Sequence, residues 1–257
     1  KKSIPGFYKY NNTGNVINID SEFLGYLIKN IYVDEYSITT QSGDTIFMKK
    51  IILAVSALMI TSMSLFGQVD HECTSGNCYD GYGTDTFSNG FQYTGQFKNG
   101  KPNGNGTLYY PDGGDYTGQF KNGVFHGQGR LKTREVDYTG QFKNGYYDGK
   151  GIMITANGSR YEGEFRKGLF HGQGSIVLDS GVVCKGKFSN GVFSEGSMTL
   201  PDGTVYKGKF RDKQIVYGTM ILPDGRKYTG TFSGNAPTWE GKCYKNGKQV
   251  YCNGGDF

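Results

Sequence analysis

Tyr93-Thr94-Gly95-Gln96-Phe97-Lys98-Asn99-Gly100 decides the fold, because the chain uses it again and again. The octet returns unchanged at Tyr116–Gly123 and Tyr138–Gly145, and as Tyr161-Glu162-Gly163-Glu164-Phe165-Arg166-Lys167-Gly168. Looser copies follow at Cys184-Lys185-Gly186-Lys187-Phe188, Tyr206-Lys207-Gly208-Lys209-Phe210 and Tyr228-Thr229-Gly230-Thr231-Phe232. The central glycines Gly95, Gly118, Gly140, Gly163, Gly186, Gly208 and Gly230 are spaced by 22 or 23 residues. A fixed period of this size marks a tandem array of one small structural unit.

Each unit has a second half. A Gly-x-Gly step, as at Gly104/Gly106, Gly127/Gly129, Gly149/Gly151 and Gly172/Gly174, leads into a short run that ends in a turn. The turns are Pro111-Asp112-Gly113, Asn157-Gly158, Asp179-Ser180-Gly181, Pro201-Asp202-Gly203 and Pro223-Asp224-Gly225. Proline presets φ and glycine tolerates the left-handed position, so one unit reads as two strands and two turns, a β-hairpin. Alternation with period two assigns the faces. Tyr93, Gly95 and Phe97 share one face, as do Tyr116, Gly118 and Phe120; Tyr138, Gly140 and Phe142; and Tyr161, Gly163 and Phe165. Gly186 and Phe188, Tyr206, Gly208 and Phe210, and Tyr228, Gly230 and Phe232 continue this inner ladder, and Leu108, Leu131, Met153, Ile176, Met198 and Met220 extend it on the second strands. The opposite face reads Thr94/Gln96/Lys98, Thr117/Gln119/Lys121, Glu162/Glu164/Arg166 and Lys207/Lys209/Arg211, a solvated pattern. The glycines between the large side chains leave room for rings from neighbouring strands to lie across them.

The Tyr-x-Gly-x-Phe-x-x-Gly start, the His-Gly-x-Gly step and the Pro-Asp-Gly turn resemble MORN repeats, from about Gly81 to Cys243. The sequence departs from that pattern in having Phe where the family more often has Trp, Cys184 in place of Tyr, and an irregular last unit from Gly234 onward. The resemblance implies an all-β fold, an elongated single-layer antiparallel sheet of stacked hairpins. At about 4.8 Å per strand the array extends on the order of 65–70 Å, with stability coming from contacts between neighbouring units. Some MORN-bearing proteins also carry a lipid kinase or methyltransferase domain, for which this chain has no room.

Composition agrees. Of 257 residues, 42 are Gly, 20 Tyr and 17 Phe, too aromatic for a disordered tail and too glycine-rich for an ordinary globular domain. The net charge of +5 is mild and spread along the chain, a poor match to a nucleic-acid binder. Met48-Lys49-Lys50 precedes an apolar run from Ile51 that extends to Phe66, shorter than the roughly 20 residues of a membrane span. Residues 48–67 therefore read as a signal peptide cleaved before Gln68, with an uncleaved membrane anchor over 51–66 as the rival. Residues 1–47 read as an over-extended gene start or disordered extension, 68–80 as a linker or N-terminal cap, 81–243 as the array and 244–257 as a C-terminal cap. Export to the periplasm, the cell surface or the medium follows. Removing 1–67 leaves 22 basic against 18 acidic residues, so export does not alter the charge argument.

All five cysteines lie beyond that signal, which suits an oxidising compartment. Cys73 pairs most naturally with Cys78 and Cys243 with Cys252, one bridge protecting each open end of the sheet, although four cysteines allow three pairings. An Asn246-Gly247 turn would oppose Cys243 to Val250, slightly off the register of the second bridge. Cys184 reads as a buried free thiol. Neither Cys-x-x-Cys nor a nearby His provides a zinc site. His126 and His171 repeat one position two units apart, roughly 20 Å, so they cannot share a metal or form a catalytic pair. His71 stands alone, Asp112, Asp202 and Asp224 are turn residues, and no helix follows the Gly-x-Gly steps to make a phosphate loop. The expectation is no catalytic residue, no metal and no cofactor.

Two binding functions compete. The aromatics Tyr109, Tyr146, Tyr147 and Phe125, surplus to the inner ladder, point to an unidentified protein partner. Lys185, Lys187, Lys207, Lys209 and Arg211, with Lys213 beside them, point to an anionic lipid or glycolipid surface, with Glu162 and Glu164 bordering the patch. Carbohydrate recognition through clustered Trp finds only Trp239 to support it.

Overall fold

The computed structural model describes residues 70–211 and 214–252, together with the backbone of four short strands before them. These four are β1 (Tyr8–Tyr10) with β2 (Val16–Asn18), and β3 (Glu35–Thr39) with β4 (Thr45–Lys49), each pair antiparallel. The apolar run over 51–66 and the expected cleavage site lie outside the described residues.

The array runs through β5 (His71–Gly76), β6 (Gly81–Phe87), β7 (Gln92–Lys98), β8 (Lys101–Tyr109), β9 (Asp115–Lys121), β10 (Val124–Lys132), β11 (Val136–Lys143), β12 (Tyr146–Thr155) and β13 (Arg160–Arg166). It continues through β14 (Leu169–Val177), β15 (Val183–Ser189), β16 (Val192–Thr199), β17 (Val205–Arg211), β18 (Gln214–Ile221), β19 (Lys227–Ser233), β20 (Ala236–Pro237), β21 (Lys242–Lys245) and β22 (Lys248–Val250). From β5 to β19 each strand pairs antiparallel with the next. The last unit is irregular as expected: β19 pairs with β20 at its C-terminal end and with β21 at its N-terminal end. Among the described residues no strand register joins β22 to β5, so the sheet is open. A closed barrel of so many strands would surround a lumen too wide for one layer of rings to fill.

Two turn types alternate along the chain. Within a unit the tip is a two-residue turn with both residues at positive φ, as at Asn99 (51°) and Gly100 (68°), the geometry that matches strand twist. Asn122, Asn144 and Asn190 repeat this, and Lys167 is forced into the same conformation at 49°. Between units, the Pro111-Asp112-Gly113 type of loop is a three-residue connection with Gly113 at φ 90°; the Gly113 N–H donates to Tyr110 and the Tyr110 N–H to Gly114. Tips also link neighbouring units, because the Gly123, Gly145, Gly168 and Gly191 N–H groups donate to the carbonyls of Pro102, Phe125, Tyr147 and Phe170.

The inner ladder is buried as its alternation requires. Tyr93, Tyr116, Tyr138 and Tyr228 are fully buried, and Leu108, Leu131, Met153, Ile176, Met198 and Met220 lie with them. The glycines form an unbroken cross-strand row from Gly76 to Gly230, through pairs such as Gly95 with Gly106, Gly106 with Gly118 and Gly140 with Gly151. What crosses them from Gly95 to Gly174, and again at Gly230, is a ring from their own hairpin. Tyr138 folds back over both Gly140 and Gly151, and a Cβ at Gly151 would lie 2.5 Å from its hydroxyl. The hydroxyl then donates to the Gln141 carbonyl at 2.9 Å, and Tyr93, Tyr116, Tyr161 and Tyr228 bond residues 96, 119, 164 and 231 in the same way.

A second aromatic layer completes this core. Phe125 stacks on Tyr116 at 3.7 Å, Tyr147 on Tyr138 at 3.9 Å and Phe170 on Tyr161 at 3.8 Å. Each Tyr also meets the edge of the next unit's Phe: Tyr93 with Phe120, Tyr116 with Phe142, Tyr138 with Phe165 and Tyr161 with Phe188, at 4.9–5.2 Å between centroids. Edge-to-face pairs of this sort contribute about 0.5–1.5 kcal/mol each beyond their buried area. Phe125 and Tyr147 are thus core residues, buried to 2% and 0% exposure, and the reading of them as surplus surface aromatics is corrected.

Gly151→Ala should lower the stability of the array by about 1–3 kcal/mol, as a methyl group is driven into the Tyr138 ring. Lys167→Asn should raise it by roughly 0.5–1 kcal/mol, since Asn enters the left-handed region more readily. Urea unfolding of the two variants against the parent chain measures both effects.

Candidate binding surface

With the inner face filled, the outer face and the two ends remain accessible. Threonines line the N-terminal part of the outer face: Thr84 and Thr94 hydroxyls lie 3.1 Å apart, as do those of Thr107 and Thr117. The neighbouring row is less solvated than its sequence implies. A bulge at each Gly-x-Gly step leaves one backbone N–H without a ladder partner, and the side chain at the fourth position of the repeat accepts it. Gln96 Oε1 accepts from Asn105 N at 2.7 Å, Gln119 from Gln128 at 3.0 Å, Gln141 from Lys150 at 2.9 Å and Glu164 from Gln173 at 3.0 Å. Gln96, Gln119 and Glu164, expected as free solvated groups, therefore hold the bulges. Sequence alternation places these side chains on the correct face but carries no sign of the bulge.

The four stretches 93–115, 116–133, 138–160 and 161–183 match the family model of the MORN repeat. Residues 93–183 are an array of MORN repeats. MORN repeats are typically protein- or membrane-binding modules and are generally non-enzymatic. No curated protein matches the chain. Among solved structures it is similar to the TCP domain of SAS-4 (dCPAP) from Drosophila melanogaster, in complex with a proline-rich motif of Ana2 (dSTIL). The identity is 15% over 64% of this chain and 90% of that one, with a TM-score of 0.37, a likeness that bears on no further point.

The MORN match ends at residue 183, where the units change. Cys184 replaces the tyrosine, fully buried and unbridged, and burial pushes its thiol up to about 12. Gly186 and Gly196 move to φ of 149° and 144°, a conformation reserved for glycine. Lys187 and Lys209 occupy the position of the bulge-holding Gln or Glu. Lys185, Lys187, Lys207, Lys209 and Arg211 are all exposed on the outer face, with no ion pair among the described residues. Glu195, missed in the sequence reading, stands between Lys187 and Lys209 in register with both. The register also brings Tyr217, 56% exposed, opposite Lys209.

Tyr79, Tyr82, Tyr109, Tyr146 and, just past β22, Tyr251 are the other exposed tyrosines among the described residues. His126 and His171 each keep a buried ring Nδ1 with no hydrogen-bond partner, and no group of three His, Cys, Asp or Glu among the described residues is placed to hold a metal ion. His71 is paired with the buried Asp85 at 3.0 Å. Cys73–Cys78 and Cys243–Cys252 are bridged, with Cα separations of 5.9 and 5.3 Å. Cys243 faces Val250, as its turn requires, and the bond is made by Cys252 just past β22.

Alkylation mass spectrometry of the unfolded, unreduced chain should modify Cys184 alone, whereas four or five modified cysteines would refute both bridges. The pH dependence follows from burial. The Cys184 thiol and the hydroxyls of Tyr93, Tyr116, Tyr138 and Tyr161 are all raised from their ordinary values, chiefly by desolvation. Their contribution to stability is complete below the ordinary thiol value of about 9 and declines as pH rises towards the folded values. The tyrosinate absorbance contributed by these four buried tyrosines should accordingly rise together with loss of β circular dichroism.

Proposed function

We propose that this chain is a non-catalytic scaffold that acts outside the cytoplasm and holds a protein partner on the outer face of its MORN sheet. One observation carries the reading. The aromatic face is filled by its own rings, so recognition falls to the outer face, where Tyr82, Tyr109 and Tyr217 stand 65%, 48% and 56% exposed. Tyrosine anchors an interface well, because it brings a large rigid contact area and loses little side-chain entropy on binding. The two disulfide pairs support an oxidising location.

A second reading, contact with an anionic lipid surface, is favoured by the unpaired lysines Lys185, Lys187, Lys207 and Lys209. Glu195 at their centre counts against it, since a uniformly anionic surface would face that carboxylate.

The test sets the full chain against two variants, one with Tyr82, Tyr109 and Tyr217 changed to Ser and one with the four lysines changed to Ser. The scaffold reading expects a protein captured by the parent chain and by the lysine variant but lost with the tyrosine variant. Co-sedimentation with anionic vesicles, abolished by salt and by the lysine changes, would replace the scaffold reading with the lipid one.

A further inference from the structure

The two ends of the sheet differ in charge. Between Gln68 and Phe97 the chain has four acids, Asp70, Glu72, Asp80 and Asp85, and no Lys or Arg. Asp85 is buried against His71 and Asp80 accepts the Asn99 N–H, which leaves Asp70 and Glu72 free and exposed beside and on the edge strand β5. At the other end, Lys242, Lys245 and Lys248 are exposed on β21 and β22, and no acid occurs between Lys242 and Cys252.

Both edges are also free to pair. β5 is hydrogen-bonded only to β6 and β22 only to β21, so each presents one unpaired backbone rim among the described residues. All six residues of β5 are exposed. The disulfides bind each edge strand to its own hairpin: one joins Cys73 to Cys78 before β6, the other joins Cys243 on β21 to Cys252 after β22. An exposed strand edge is a template for another chain unless its side chains forbid the pairing.

We propose that this chain assembles head to tail with a second copy of itself, the acidic β5 edge of one meeting the basic β22 edge of the next. Pairing of like edges is antiparallel and sterically ordinary, but it brings Glu72 towards Glu72, or Lys248 towards Lys248. Like charges set against each other suppress those pairings, and opposite charges select the remaining one. Strand direction alternates from β5 to β19, then twice more through β21 to β22, so β5 and β22 run the same way. Copies joined with the same face outward therefore meet in a parallel pair. That pair is slightly weaker per residue than an antiparallel one, which leaves the charges to set partner and orientation. A contact between two different edges leaves a free edge at each end of a pair of copies, so assembly does not stop at a dimer and continues as a row, or as a ring where the rotation closes.

Sedimentation velocity of the full chain tests this at about 20 mM and about 0.5 M salt, where screening lengths differ several-fold. The expected result is a concentration-dependent series of species at low salt that collapses to monomer at high salt. Two variants then reverse one end each: Asp70→Lys with Glu72→Lys, and Lys245→Glu with Lys248→Glu. Either alone should remain monomeric, having two ends of like sign, while an equal mixture should associate again. Circular dichroism checks that both variants fold, and the salt series on the parent chain decides the matter should one of them fail. A parent chain that is monomeric at every concentration in low salt overturns the proposal. So does association indifferent to salt and to either reversal, or a mixture of two folded variants that stays monomeric.

Discussion

The repeats between Tyr93 and Val183 depend on a tyrosine ring lying flat over a pair of glycines. The ring reaches across its own strand to the neighbouring one, and its hydroxyl ends on the carbonyl three residues further along, 2.9 Å from it in Tyr138. That geometry forbids a Cβ at either glycine from Gly95 to Gly174, whereas Gly186, Gly196, Gly208 and Gly218 are held as glycine by positive φ and the facing backbone. The flat ring also turns a thin sheet into something with an interior. Once the ring is flat, a second ring stacks on it and the next unit's Phe closes its edge, so each repeat buries its neighbour's side chains as well as its own. A repeat of this design has little stability by itself, and its energy resides in the junctions.

The units after residue 183 are built differently. Phe188 and Phe193 pack tilted at 5.2 Å, and the glycines adopt backbone angles that other residues avoid, at Gly208 and Gly218 in the Tyr206 unit as well as at Gly186 and Gly196 in the Cys184 unit. The side chains that hold the bulges in earlier units are replaced by lysines, which are left free. Structure and surface change together here. A position that is committed in the N-terminal repeats to a backbone hydrogen bond becomes, in the C-terminal ones, a charge presented to solvent.

Much of this was legible in the sequence because it rests on periodic or local causes. The 22–23-residue period, the Asn-Gly and Pro-Asp-Gly turns and the alternation of Tyr, Gly and Phe each have one cheap structural solution, and the sheet adopts it. The cysteine pairs were legible for a similar reason, being close in sequence at the ends of a repeat array. The bulges were not, since a two-for-one register shift leaves alternation intact on the other strand, and Gln96 looks like any solvated glutamine until its amide partner is seen. Phe125 and Tyr147 were misread because a one-layer sheet gives no reason to expect a second layer of rings. Only the stacking distances reveal it.

The filled interior has a consequence for how such a sheet can work. A cleft or cofactor site needs side chains that converge, and in this array the converging side chains are already spent on one another. What is left are a broad outer face with side chains in regular rows, and two ends. Recognition on a surface of that kind is set by the few departures from the repeat: a tyrosine in place of a polar residue, a lysine in place of a bulge-holding glutamine, an acidic strand at one end and a basic one at the other. The repeat supplies the rigid ground, and its exceptions carry the information.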